Sequence, residues 1–166
     1  MRVGEAAVSH AIGEATHRSE DWAGLCKKFV RLCFDVPSTS SSAATCWTQA
    51  QHKHPWTVTP PAGVAVFWGG GSRGFGHVAL SAGRGLCYST DYKRTGYVDL
   101  VNVAAIGPGW GLRPLGWTED FDGAQVFNPP RIASPHILHL QHLAHIGAPL
   151  TAHELHELHL WNQGLT

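Results

Sequence analysis

The sequence predicts an α+β fold: N-terminal helices packed on an antiparallel sheet, followed by a C-terminal helical hairpin. Three observations carry this. Apolar residues recur at helical spacing through the first fifty positions. Between residues 64 and 127 short, β-rich apolar runs alternate with glycine turns. After Asn128-Pro129-Pro130 the composition shifts to leucine and histidine at helical spacing. The expected domains are 1–128 and 129–166.

The elements follow in order. Residues 3–17 read as a helix with Val3, Ala7, Ile12 and Ala15 among its apolar positions. Residues 22–34 read as a second helix, because Leu25, Cys26, Phe29, Val30, Leu32 and Cys33 share an apolar stripe. Asp21 is its candidate cap. Pro37 stops it, and residues 38–42 form a serine-rich turn before a short helix at 43–51. Residues 52–61 read as a loop. Strands are expected at 64–68, 77–81, 86–90, 97–101, 112–117 and 124–127. Ser134-Pro135 reads as a cap with proline at the first helical position, and Thr151-Ala152-His153-Glu154 as a capping box. A helical hairpin at 134–164 results.

Composition narrows the function classes. Lys plus Arg and Asp plus Glu total 12 each, so the chain has no electrostatic grip on nucleic acid or anionic lipid. No apolar run spans a bilayer, so membrane insertion is not expected. The first residues lack the apolar core of a secretory signal, which points to synthesis and retention in the cytoplasm until something releases the protein. The four cysteines form no C-x-x-C pair, which excludes a zinc ribbon or a thioredoxin motif. Cys33, Cys46 and Cys87 are expected to be buried small hydrophobes.

The chemistry concentrates in Asp21-Trp22-Ala23-Gly24-Leu25-Cys26-Lys27-Lys28-Phe29-Val30-Arg31. It puts Cys26 in the first turns of a helix, where free amides and the helix dipole lower a thiol pKa and can hold an oxyanion. The base is offered by Gly74-Phe75-Gly76-His77-Val78-Ala79-Leu80, a histidine at the head of an apolar strand. Its imidazole needs a third group to set the tautomer. Period-2 alternation puts Cys87, Ser89 and Asp91 on one strand face, leaving Asp91 or Ser89 for that role. Trp22, Gly24 and Gly76 are the expected substrate-contacting residues. Trp68, Trp110 and Trp117 are further candidates for a cleft lining. This chemistry requires no metal and no cofactor. Asp120-Phe121-Asp122-Gly123 reads as a hairpin turn in preference to a calcium loop.

The helix Trp22-x-Gly24-x-Cys26-x-x-Phe29-Val30 resembles the nucleophile helix of the NlpC/P60 and CHAP cysteine peptidases. Gly76-His77-Val78-Ala79-Leu80-Ser81 is similar to their histidine strand, and Pro60-Pro61-Ala62-Gly63-Val64 before Phe67-Trp68 is similar to their approach to the sheet. The resemblance covers roughly residues 20–127 and looks closest to peptidase domains of endolysins from phages of actinobacteria. It implies a papain-like core and hydrolysis of an amide bond in bacterial peptidoglycan, either in the stem peptide or, as the alternative, at the N-acetylmuramoyl-L-alanine junction. It also implies action on the wall after release from the host cytoplasm. The chain departs from the pattern in two places: the closely spaced acids of the CHAP-type calcium loop ahead of the cysteine are absent, and the third catalytic position differs. Many NlpC/P60 members carry a second histidine where this chain has Ser89, and CHAP members use a carboxylate or Asn at a somewhat longer spacing, which Asp91 would match.

Seven of the twelve histidines lie at 136, 139, 142, 145, 153, 156 and 159. Spacing by three makes the row spiral around a helix, so no rigid four-ligand site follows. The expected arrangement is a polar face opposite Leu138, Leu140, Leu143, Ile146, Leu155 and Leu158. Zinc pinching by an i, i+3 pair, self-association and partner docking through 134–164 stay open. A non-catalytic binding or assembly module built on this hairpin is the competing class.

Overall fold

The computed structural model describes residues 1–128 and 134–163. Two compact units emerge, Met1–Asn128 and Pro129–Thr166. The Pro129-Pro130 break and Gly164 lie outside the described residues.

The first unit begins with helices α1 (Glu5–Thr16), α2 (Cys26–Phe34) and α3 (Ala43–Gln49). Strands β1 (Lys53–Pro55), β2 (Ala65–Gly69), β3 (His77–Gly83), β4 (Leu86–Thr90) and β5 (Val98–Asn102) follow. Helix α4 (Val103–Trp110), strand β6 (Arg113–Thr118) and a hairpin of β7 (Asp120–Phe121) and β8 (Ala124–Gln125) complete it. Six antiparallel strands form one sheet in the order β1-β6-β2-β3-β4-β5. The α+β class is therefore the observed one. Strands β2 to β5 make the expected meander, and β6 returns to the free edge of β2.

Burial explains the central position of β2. Ala65 to Trp68 are fully buried, which is why this strand reads as a continuous apolar run. Ala65 and Phe67 face α1, α2 and α3, against Phe29, Val30, Cys33 and Phe34. Val66 and Trp68 face the other way, with Ala79, Cys87, Val101 and Ile106. Each fully buried Phe or Val contributes about 1.5–3 kcal/mol relative to exposure.

Three elements differ from the sequence expectation. The loop at 52–61 contains β1, a three-residue edge strand on β6, where Pro55 is tolerated. Helix α4 lies where none was expected. Its sequence Val-Ala-Ala-Ile-Gly-Pro-Gly-Trp discourages a helix, but the Asn102 side chain accepts from Ala104 N at 2.8 Å, and Val103 and Ile106 anchor it. Residues 124–127 do not close the main sheet, because β8 pairs only with β7.

In the second unit, α5 (Pro135–His145) and α6 (Ala152–Gln163) pack on each other. Ser134 Oγ accepts from Ile137 N at 3.2 Å, and Thr151 and Glu154 exchange the two capping-box bonds at 2.8 and 3.2 Å. Ile137, Leu140 and Leu158 meet with Leu150 beside them. Leu138, Ile146 and Leu155 are exposed, so the expected single apolar face splits. His136 Nε2 lies 3.0 Å from Glu157, whose carboxyl is held below its ordinary range by that hydrogen bond. Among the described residues no three His, Cys, Asp or Glu side chains converge on a metal position. No described helix is long and apolar enough to cross a membrane.

Candidate active site

The first unit holds a cleft of about 700 Å³. Gly24, Cys26, Gly76, His77, Asp91 and Trp110 all line it.

Cys26 owes its position to a turn, not to a long helix. Asp21 Oδ1 accepts from Ala23 N at 3.1 Å, Leu25 N donates to Trp22 O at 2.9 Å, and Gly24 turns the chain with φ +71°. That left-handed conformation excludes residues 22–25 from the helix, so α2 starts at Cys26 itself. Asp21 therefore caps the turn and not the helix. The backbone amides of Val78, Lys27 and Cys26 itself bear on the Cys26 sulfur. They pull the thiol pKa down, as the helix N-terminus predicts. Burial, the largest influence, outweighs them and the nearby Asp91 carboxylate adds to it, so the pKa is raised. The expected resting thiolate is corrected to a resting thiol.

His77 opens β3 and is buried. Its Nε2 lies 2.9 Å from Ser89 Oγ, and Ser89 Oγ donates its only proton to Thr90 O at 3.1 Å. The hydroxyl therefore accepts from His77, so Nε2 carries the hydrogen and Nδ1 keeps a free lone pair. Desolvation pushes the His77 pKa down to about 3, so the imidazole is neutral near pH 7. Trp110 packs edge-on against the imidazole, with centroids 4.8 Å apart. Tyr92 holds Trp110 at 5.2 Å and donates its hydroxyl to Ala105 O at 2.9 Å. Gly76 precedes His77 with φ +67°, and a Cβ there would lie 2.6 Å from Trp68 O.

Two sequence-predicted residues play other parts. Asp91 does not face His77. Strand β4 ends at Thr90, and Asp91 adopts φ +65°, which breaks the alternation. Its Oδ2 accepts from Gly24 N at 2.9 Å and its Oδ1 from Gly96 N at 2.7 Å. It braces the turn before the cysteine instead. Trp22 is 0% exposed, edge-on to Phe29 at 5.6 Å, with its indole donating to Glu14 at 3.1 Å. It is a core residue and does not reach the cleft. Of the other tryptophan candidates, Trp68 is buried and Trp117 stacks on His54 at 3.8 Å, which leaves Trp110. All four cysteines are free thiols, and Cys33, Cys46 and Cys87 are buried.

Sequence reasoning missed one supporting residue. Asp122, at the β7–β8 turn, is paired with Lys27 Nζ at 2.6 Å and accepts from Ser40 N at 3.1 Å and from the Ser40 hydroxyl. It ties the residue after the nucleophile to the serine turn that lines the cleft. The Asp-Gly pair signalled only the turn.

No family model, curated protein or solved structure matches the chain.

Proposed function

We propose that the protein is a cysteine hydrolase with a papain-like core of the NlpC/P60–CHAP type, cleaving an amide bond of bacterial peptidoglycan as a phage endolysin does. The observation that carries the reading is a single cleft lined both by Cys26, at a helix start, and by a Ser89-bound histidine with a free nitrogen. The sequence resemblance supplies the substrate class.

In the proposed reaction, His77 Nδ1 takes the Cys26 proton as the sulfur attacks the scissile carbonyl. The amides around Cys26 stabilise the oxyanion. The imidazolium returns the proton to the departing amine, leaving a thioester. Water, deprotonated by the same nitrogen, then releases the acyl product as a carboxylate and restores the thiol. Ser89 holds the ring and its tautomer throughout. A stem-peptide amide is the favoured bond, and the enzyme acts on the wall after release.

Cys26→Ala should abolish clearing of actinobacterial wall material, while Cys33→Ala, buried in the core, should retain it. Mass spectrometry of the soluble muropeptides should show one new amine paired with one new carboxylate, and their position names the bond. Clearing by Cys26→Ala at the parent rate rejects the reading.

A further inference from the structure

The charges lining the cleft are uneven. Lys27, Lys28 and Arg31 of α2 all line it. Two of these cations are offset by carboxylates, Lys27 by Asp122 and Lys28 by Glu20, each at 2.6 Å. Arg31 has no carboxylate partner among the described residues. Its NH1 donates to Val36 O at 2.9 Å, which anchors the guanidinium while its other nitrogens make no hydrogen bond among the described residues. The lining acid, Asp91, has both oxygens occupied by the amides of Gly24 and Gly96. Ser38, Ser40, Ser41 and Ser42 also line the cleft and are neutral.

We infer that Arg31 is a specificity residue that binds a carboxylate of the substrate, on the stretch of cleft running along α2 away from Cys26. An anchored guanidinium presents a planar fork of donors that matches a carboxylate. The neighbouring cations already have partners, so Arg31 is where a substrate anion gains most. Peptidoglycan stem peptides supply such carboxylates, and the inference rests on Cys26 being the nucleophile of this cleft. It implies that substrates whose carboxylate is amidated bind less well.

The test uses the full chain and needs no substrate. Cys26 is the one cysteine that is not buried, so a thiol reagent reports on the cleft. The rates of Cys26 labelling by 4-maleimidobutyrate and by its methyl ester are compared, each normalised to a free small thiol. The parent should favour the acid roughly tenfold, the size of a charge-assisted hydrogen bond. Salt near 1 M should shrink that preference. Arg31→Gln should remove it, Arg31→Lys should keep part of it, and exposed Arg113→Gln should leave it intact. Thermal melts confirm that each variant is folded. Equal ratios in the parent and Arg31→Gln overturn the inference, even if walls are still cleared. A retained, Arg31-dependent preference in a protein that clears no wall supports the inference and rejects the hydrolase reading. Failure of both reagents to label Cys26 rejects both.

Discussion

Ser89 gives His77 an acceptor that carries no charge, and this sets the electrostatics of the pair. A carboxylate in that place would favour the imidazolium, whereas a hydroxyl fixes the ring and leaves its proton affinity to burial. Burial pushes His77 down and Cys26 up, so the resting state is a thiol beside a neutral imidazole. Labelling of Cys26 by iodoacetamide should therefore climb through the alkaline range, at least about tenfold faster at pH 9 than at pH 6. A rate already flat from pH 5 would demonstrate a preformed ion pair instead. Ser89→Ala should lower kcat on wall substrate by about 10- to 100-fold with KM little changed, since the hydroxyl orients the base without touching substrate. Steady-state kinetics separate the two constants. Cys26 and His77 were legible in the sequence because each sits where an element begins. The choice between Ser89 and Asp91 was not. It depends on a single positive φ at Asp91, which alternation along a strand does not foresee. Trp22 misled for a related reason, as an aromatic near a nucleophile reads the same whether it lines a cleft or fills a core.

Elements that pattern marks strongly were found, and those held by tertiary partners were not. Helix α2 and strands β2 to β4 carry long apolar signals. Helix α4 contains Gly107, Pro108 and Gly109, and its helix exists because Val103 and Ile106 bury against the sheet. Strand β1 has three residues and owes its pairing to β6. The links between elements make the site, and they should be its most sensitive points. At Gly76 a methyl group would lie 2.6 Å from Trp68 O in a backbone that disfavours side chains, where β3 leaves its turn for His77. Gly76→Ala should cost about 2–4 kcal/mol by denaturant titration and depress Cys26 labelling, whereas Gly123→Ala, with open space around its Cβ, should cost only the strain of its positive φ, about 1 kcal/mol. The Lys27–Asp122 pair joins α2 to the β7–β8 hairpin, with its side chains only 12% and 0% exposed. Asp122→Ala strands the cation and should cost about 3 kcal/mol, whereas Asp35→Asn, which suits the left-handed cap and removes only the exposed N-terminal ion pair, should change stability little.

Across the whole molecule, the buried neutral His77 makes stability depend on pH. Unfolding returns the imidazole to its ordinary pKa near 6.5, while in the fold it lies near 3. Between those values the unfolded chain binds a proton that the native protein excludes, so stability rises with pH. The contribution is fully present above about pH 6.5, drains away as pH falls toward 3, and changes no further below that. Its size is on the order of a few kcal/mol, enough to matter against the total of about 5–15 kcal/mol for a domain. Other acid-sensitive groups act in the same direction. The Asp35 and Glu157 carboxyls are held low by the N-terminal amine and by His136 and must also take up protons. A variant separates the histidine from them. His77→Gln keeps a hydrogen-bonding group toward Ser89 and removes the titration. Melting temperatures measured from pH 7 to pH 4 should fall more steeply for the parent than for His77→Gln, and the two curves should converge as pH drops. Parallel curves would mean that His77 is no more buried to protons than an ordinary surface histidine. The burial that limits acid stability leaves the imidazole nitrogen free near neutral pH and also weakens it as a base, so in the proposed reaction the Cys26 proton moves only as the sulfur attacks the carbonyl.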